Sequence, residues 1–179
     1  MNVKQKNIYI VGYSGSGKTE VGEALAKQLH YDFVDMDQKI QEEQNETLNR
    51  IVMTYGEHHL RNLEGKSLEE WVCGEYKNLV ISCSEGIVLD DKNRKVLKNE
   101  YVVFLDCDTR TMFQRIKDKS DSPNAYFNMK DEEKKYSIFS EKYFMRRKLY
   151  EEVCDVRIDT GRGSIDSSVG EILSKGMFK

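Results

Sequence analysis

The sequence predicts an α/β fold in which helices cover both faces of a five-stranded parallel sheet. Three observations support this: five short segments have the character of strands, most of their residues are apolar, and helical segments separate them. Strands of a parallel sheet are covered on both faces and read as nearly continuous apolar runs. A chain of 179 residues can bury a sizeable core. We therefore expect one three-layer α/β/α domain spanning residues 1–179.

The first strand is predicted at residues 7–11, where an apolar run ends in a glycine-rich segment. Apolar residues at helical spacing follow at Val21, Leu25 and Leu29. A second strand is predicted at 31–37, and one long helical stretch should continue to about Tyr76. The remaining elements alternate in the same way. They are a strand at 79–82, a short helix near 93–98, a strand at 101–105, a helix at 110–118, a polar break at 120–130, a long helix to about 154, a strand at 156–159 and a last helix through 172.

The segment between the first strand and the first helix matches the phosphate-binding pattern GxxxxGK[ST] in full. Glycines allow backbone N–H groups to turn inward around phosphate oxygens, and the helix N-terminus adds its positive dipole end. The lysine is expected to reach the β- and γ-phosphates and the threonine hydroxyl to ligate Mg²⁺. The residues predicted to bind ATP here are Gly12, Ser14, Gly15, Ser16, Gly17, Lys18 and Thr19.

Composition limits the possible partners. The chain carries 28 Lys and Arg against 31 Asp and Glu, a net charge of −3, which argues against non-specific nucleic-acid binding. No apolar run is long enough to span a membrane and no signal peptide is visible. The four cysteines have no CxxC spacing and are expected to be small buried thiols in a reducing compartment. We therefore expect a cytoplasmic monomer that acts on a small molecule.

Two carboxylates, Asp35 and Asp37, lie at the carboxyl end of the second predicted strand. Ligands bind at that end of the strands in open α/β sheets. Alternation along a strand would place both side chains on one side, one near Mg²⁺ and the other able to accept a proton from a substrate hydroxyl. The alternative is a solvated strand end that caps the next helix.

Two arginines on predicted helices are further candidates. Arg61 and Glu64 are three residues apart, and this spacing alone favours a surface ion pair over a binding site. Arg146 lies within an apolar stripe that also contains Tyr143 and Tyr150, and a buried guanidinium needs an anion or another acceptor. Either a structural ion pair or a substrate carboxylate gripped bidentately would satisfy it.

These residues resemble the shikimate kinase family, which belongs to the nucleoside-monophosphate-kinase-like group of P-loop proteins. The resemblance covers nearly the whole chain. The most specific segments are Phe33-Val34-Asp35-Met36-Asp37, Leu60-Arg61-Asn62-Leu63-Glu64, Val88-Leu89-Asp90 with Asn93-Arg94, and the run from Arg146 to Asp155. It implies a strand order of 2-3-1-4-5, a lid at about 120–130, and ATP- and Mg²⁺-dependent phosphorylation of the 3-hydroxyl of shikimate.

The resemblance also implies roles for single residues. Lys18 and Asp37 would be catalytic, and Asp37 would also hold ring hydroxyls of the substrate. Arg61 and Arg146 would bind the shikimate carboxylate, with Glu64 orienting Arg61. The remaining residues would act at the metal, the substrate and the adenine: Thr19 and Asp35 at Mg²⁺, Gly86 at the substrate, Arg115 and Arg162 at the adenine.

The chain departs from the family pattern in three places. Ser84-Glu85-Gly86 stands where the family has three glycines, and Glu85 adds bulk and negative charge where anions are expected to meet. Ser122 precedes Pro123 where the family lid carries an arginine, for which Lys117, Lys119 or Lys130 would have to substitute. Lys148 replaces a proline, a smaller local change.

Three functions are therefore compared. The first is shikimate kinase. The second is a related kinase for another hydroxylated acid such as gluconate, because Ile81-Ser82-Cys83-Ser84 faintly resembles the third-strand segment of gluconate kinases, although no histidine-proline pair follows the two aspartates. The third is a nucleotide-binding protein with little transfer activity, suggested by Glu85 and by the missing lid arginine.

Overall fold

The computed structural model describes residues 7–117 and 129–175. Its strands, numbered along the chain, are β1 (Ile8–Val11), β2 (Asp32–Asp35), β3 (Leu79–Ser82), β4 (Tyr101–Asp106) and β5 (Val156–Asp159). They form one parallel sheet in the order β2-β3-β1-β4-β5. The predicted fold class and strand order are confirmed.

Helices occupy most of the connections between the strands. Within the described residues they are α1 (Lys18–Leu29), α2 (Met36–Gln44), α3 (Leu48–Tyr55), α4 (Glu57–Cys73), α5 (Asp91–Leu97), α6 (Thr109–Ile116), α7 (Glu132–Val153) and α8 (Ile165–Ser174). A single 3₁₀ turn, Ile87–Leu89, follows β3.

Alternation along the strands divides the core into two layers. Ile8 and Ile10 of β1 pack with residues of α1 and α8 on one face of the sheet. Tyr9 and Val11 point to the other face, against residues of the remaining helices, with α4, α6 and α7 contributing many of them. Because successive side chains of a strand point to opposite faces, one short strand helps to build both cores.

The structure corrects the single long helix expected up to about Tyr76. Three helices, α2, α3 and α4, occupy this stretch. Asn45 adopts a left-handed conformation with φ 51° and ends α2, and Gly56, with φ 84°, separates α3 from α4. Asparagine and glycine tolerate positive φ, and Thr47 then caps α3 by accepting a hydrogen bond from the Arg50 backbone N–H.

Two smaller expectations also change. Cys83 and Cys107 are buried as expected, but Cys73 is exposed because it lies at the C-terminal end of α4.

Most of the predicted lid at 120–130, including Ser122 and Pro123, lies outside the described residues, as does Lys119. None of the helices in the described ranges is long and apolar enough to cross a membrane.

Candidate active site

The phosphate-binding motif forms the loop between β1 and α1. Gly15 has φ +82°, and a Cβ atom there would overlap the backbone carbonyl of Met112. Glycine is therefore required at this position both by conformation and by the close approach of α6. Ser16 is buried, and its Oγ atom makes no hydrogen bond within the described part of the chain. Gly17, with φ +89°, precedes the first residue of α1, so the free N–H groups of that helix face the loop.

The Lys18 ammonium group lies across this loop. It donates hydrogen bonds to the carbonyl oxygens of Gly12, at 3.0 Å, and Tyr13, at 3.3 Å. Thr19, the next residue, donates from Oγ1 to Asp35 Oδ2 at 2.8 Å. The motif therefore supplies an ammonium group and a hydroxyl, and the hydroxyl meets the Asp35 carboxylate at the carboxyl end of β2.

Asp35 and Asp37 do not lie on one strand, so the predicted alternation is wrong. β2 ends at Asp35, whose Oδ1 accepts hydrogen bonds from the backbone N–H groups of Asp37, at 3.0 Å, and Gln38, at 3.3 Å. Asp35 thus caps α2, as the alternative interpretation proposed, and it contacts Thr19 as well. Capping starts the helix at once and places Asp37 in its first turn.

Asp37 is nevertheless directed to the same end of the sheet. One of its carboxylate oxygens accepts a hydrogen bond from the hydroxyl of Ser84, which follows β3. Burial raises the pKa of Asp37, the hydrogen bond from Ser84 opposes this, and the negative charge of Asp35 adds to it. A carboxylate whose pKa is raised has a greater affinity for a proton, which suits a group that accepts one from a hydroxyl.

Arg61 and Glu64 form an ion pair, but not the surface pair that their spacing favoured. Glu64 is buried and Arg61 is largely covered. A signal for this was present in the sequence, because Leu60 and Leu68 each lie four residues from Glu64 and occupy the buried face of α4. The buried carboxylate holds the guanidinium at the edge of a cleft.

Burial raises the pKa of Glu64 to about 7, although the positive charge of Arg61 opposes the shift. In the unfolded chain the same group titrates near 4.5. Between these values the folded state binds more protons, so its stability falls as the pH rises.

We therefore expect the free energy of unfolding of the protein, relative to that of Glu64→Gln, to decrease by about 2–3 kcal/mol from pH 4.5 to 7. Denaturant titrations at several pH values measure it. Glu69→Gln, which removes an exposed carboxylate from the same helix, should show no such trend. Parallel pH profiles for Glu64→Gln and the unchanged protein would contradict the raised pKa.

Gly86 leaves room for the Arg61 guanidinium beside Glu64, because it has no side chain. A Cβ atom at this position would overlap Arg61 Nη1 and Cζ. The backbone of Gly86 has φ −91°, so the requirement is close approach and not conformation.

We expect Gly86→Ala to displace Arg61 from Glu64 and to lower the free energy of unfolding by about 1–3 kcal/mol. Chemical denaturation measures the change. Gly170→Ala is the control for adding a Cβ atom without a clash, since such an atom has no neighbour within 4 Å, and alanine within α8 should raise the free energy of unfolding by about 0.5–1 kcal/mol. A free energy of unfolding in Gly86→Ala equal to that of the unchanged protein would show that Arg61 moves aside without cost.

Arg146 forms the ion pair that the sequence left open as one of two possibilities. Its Nη1 lies 2.8 Å from Glu85 Oε1, and both side chains are nearly buried. The other Glu85 oxygen, Oε2, accepts a hydrogen bond from Ser14 of the phosphate loop, and its backbone carbonyl accepts one from Tyr150 at 2.6 Å. Glu85 therefore joins the phosphate loop to α7.

Arg115 contacts the phosphate loop, and Arg162 follows β5 in the chain. Arg115 donates to the carbonyl oxygens of Gly15 and Thr160, both at 3.0 Å, and so ties the loop to the end of β5. Thr160 Oγ1 strengthens this connection by donating to the Ser16 carbonyl at 2.8 Å. Arg162 is exposed in the segment after β5.

Three of the acceptor candidates, Asp37, Arg61 and Arg146, line one cleft next to the phosphate loop, whereas Gly86 is not among its lining residues. Its empty space, which includes open solvent, is about 370 Å³. The lining residues come from several elements: Asp37, Leu48, Val52, Glu57, Leu60, Arg61, Glu64, Ser84, Glu85 and Arg146. Two guanidinium groups thus face four carboxyl groups, and each guanidinium already pairs with one of them.

Some contacts were not predicted from the sequence. No feature of the sequence predicted that the Ser84 hydroxyl would donate a hydrogen bond to Asp37. The hydrogen bonds of Glu85 to Ser14 and Tyr150 join residues far apart in the chain. A buried network around Asp106, which accepts from Tyr143 and lies 2.5 Å from Arg157 Nη2, was also missed. Only the position of Asp106 at the end of a strand hinted at it.

The donor atoms near the phosphate loop fit Mg²⁺ bound together with a nucleotide. The Thr19 hydroxyl and the Asp35 carboxylate are hard oxygen donors, which this ion prefers. The described residues contain no cluster of three or more His, Cys, Asp or Glu side chains that could hold a metal. Mg²⁺ commonly uses one or two protein groups and completes its shell with water and substrate phosphates, so the small donor set is compatible with it.

Comparison with known proteins gives consistent matches. The sequence model of the family described as shikimate kinase matches residues 14–176. The chain is 36% identical over 171 residues to the shikimate kinase of Persephonella marina, covering 95% of this chain and 98% of that protein. Shikimate kinase from Acinetobacter baumannii, solved in complex with shikimate, superimposes with a TM-score of 0.82 at 30% identity, covering 94% of this chain and 91% of that one.

A gluconokinase from Sinorhizobium meliloti also has this fold. The TM-score is 0.59 at 20% identity, with coverage of 96% of this chain and 91% of that one. At this level of identity the likeness concerns the fold alone, and it does not favour gluconate as the acceptor.

Proposed function

Since the chain belongs to the shikimate kinase family, we propose that it transfers the γ-phosphoryl group of ATP to the 3-hydroxyl of shikimate. The observation that carries this proposal is the cleft that joins Asp37, Arg61 and Arg146 beside the phosphate loop. Among the residues of this cleft, Asp37 can accept a hydrogen bond from a hydroxyl and the two guanidinium groups can bind a carboxylate, so a hydroxyl-bearing carboxylic acid is the kind of molecule that these three residues recognise.

On the nucleotide side, the loop from Gly12 to Thr19 would bind the phosphates of ATP. Backbone N–H groups and the hydroxyls of Ser14 and Ser16 are the donors, and the Lys18 ammonium would leave its two carbonyl partners for the β- and γ-phosphates. Arg115, which contacts Gly15 and Thr160, and Arg162, in the segment after β5, would pack against the adenine. Thr19 and Asp35 would hold Mg²⁺, which neutralises phosphate charge when bound.

On the acceptor side, Arg61 and Arg146 would bind the carboxylate and the backbone of Gly86 would approach the ring. Asp37 would hold ring hydroxyls and accept the proton of the one that attacks. Its raised pKa supports that role. The oxygen of the attacking hydroxyl would form a bond to the γ-phosphorus while the bond from that phosphorus to the bridging oxygen of ADP breaks. The hydroxyl proton would pass to Asp37, and ADP would leave with the bridging oxygen.

The first test is release of ADP from Mg-ATP with and without millimolar shikimate, and with gluconate in its place. We expect ADP release to depend on shikimate. Turnover with gluconate but not with shikimate would identify a related kinase for another hydroxylated acid. Confirmed ATP binding without turnover on either acid would identify a nucleotide-binding protein and overturn the proposal.

We propose further that the protein acts as a single-domain monomer in the cytoplasm. The five strands belong to one sheet, and the residues of the site come from elements on both sides of β1. Analytical ultracentrifugation at catalytic concentrations tests this, and a stable dimer would contradict it.

A further inference from the structure

Glu85 holds the group that the acceptor carboxylate needs. Its Oε1 lies 2.8 Å from Arg146 Nη1, and the Arg146 side chain is only 9% exposed. A guanidinium so deeply buried requires an anion, and in this structure a side chain of the protein itself supplies it. The pair has the donor and acceptor types of an arginine bound to a carboxylate ligand.

The position of this carboxylate is well defined. Ser14 donates to its second oxygen from the phosphate loop, and Tyr150 donates to the backbone carbonyl of the same residue at 2.6 Å. Glu85 is therefore held between the loop that would bind ATP and the helix that carries Arg146. These contacts keep it at Arg146 and directed into the cleft.

We propose that Glu85 is a specificity-determining residue that competes with the acceptor carboxylate for Arg146. The inference rests on the proposed function, because it concerns the acid that would bind in this cleft. Two carboxylates on one buried guanidinium would repel each other, and the cleft already contains Asp37 and Glu64. An acidic acceptor therefore binds Arg146 only when Glu85 gives it up, at a cost in affinity.

The proposed competition depends on the negative charge of the acceptor. Glu85 should therefore lower the affinity for a charged acceptor but not the affinity for a similar acceptor without the charge. Methyl shikimate, in which the carboxylate is an ester, is such a probe. Loss of the charge at Glu85 should improve the binding of shikimate and leave the binding of the ester nearly unchanged.

The test compares Glu85→Gln with the unchanged protein. Glutamine keeps the size of the side chain and removes the charge: its amide oxygen can still accept from Arg146, while its NH2 group can donate to the Ser14 hydroxyl. We expect the KM for shikimate to fall at least about tenfold, the lower end of the range for a hydrogen bond to a charged group, with no comparable change for methyl shikimate. Glu69→Gln is the matched control, because it makes the same change at an exposed residue of α4 that does not line the cleft.

A second measurement covers the case in which Glu85→Gln folds poorly. Ser14→Ala removes the hydroxyl that anchors the other Glu85 oxygen. Calorimetric titration of this variant with shikimate, without nucleotide, should give a lower Kd than the unchanged protein. A higher Kd would show that Glu85 and Ser14 support the acceptor site, and it would overturn the proposal.

The outcomes separate this inference from the function on which it rests. Turnover of shikimate by the unchanged protein, with an equal or higher KM in Glu85→Gln, overturns the competition and leaves the function standing. Shikimate binding that emerges only in Glu85→Gln supports the competition in its strongest form. Absence of binding and turnover in both proteins overturns both proposals.

Discussion

Lys18→Ala is expected to lower kcat by about 1000-fold, a larger effect than we expect from any other single substitution in the site. The ammonium group of Lys18 is the cation of the phosphate loop, and it would stabilise negative charge on the transferring phosphoryl group. Alanine removes that charge without disturbing the core, since Lys18 is only partly buried at the start of α1. Steady-state ADP release under saturating ATP and shikimate measures the loss.

Lys27→Ala is the matched control for this prediction. Lys27 belongs to the same helix and carries the same charge, but it is exposed in the last turn of α1. Its kcat should equal that of the unchanged protein. If Lys18→Ala retained full activity while remaining folded, another group would have to serve as the cation at the transferring phosphate.

Arg146→Ala should raise the KM for shikimate by about 100-fold, the value of a lost bidentate pair with a carboxylate. It should also lower the free energy of unfolding by about 3 kcal/mol, because the Glu85 carboxylate, 12% exposed, would lose its cation. Initial-rate kinetics and urea denaturation measure the two effects separately.

Two further variants test the reason for the lost stability. Lys148→Ala, on the exposed face of the same helix, should change neither quantity. Adding Glu85→Gln to Arg146→Ala removes the unpaired charge and should restore part of the stability, which a double-mutant cycle quantifies. An unchanged KM in Arg146→Ala would remove Arg146 from the acceptor site.

The strands could be predicted from the sequence because their signal is local. Apolar runs such as Ile8-Tyr9-Ile10-Val11 are buried on both faces, and parallel strands read in this way wherever they occur. The helix boundaries were less predictable. Asn45 and Gly56 divide a stretch whose periodicity alone suggests one helix, because positive φ at a single residue is enough to end it.

The candidate site also combines features that could be predicted from local sequence with features that only the structure shows. The position of the GxxxxGK[ST] loop between β1 and α1 could be predicted, because the motif places glycines, a lysine and a hydroxyl at fixed spacing, and its binding of ATP stays a prediction. Asp37 was placed at the correct end of the sheet, but on the wrong element. Its neighbour Asp35 caps α2, and only the structure decides whether a strand continues or a helix begins.

The sequence by itself determined the fold class, the phosphate loop and the residue types at the acceptor cleft, since each depends on local pattern or spacing. Tertiary structure alone decided which charges are buried and which meet across elements. The spacing within α4 predicted that Arg61 and Glu64 would pair, but not that the pair would be buried, and Glu85 reaches Arg146 across 61 residues of chain. The partner of a buried charge depends on which elements pack together, and packing is set by the whole core.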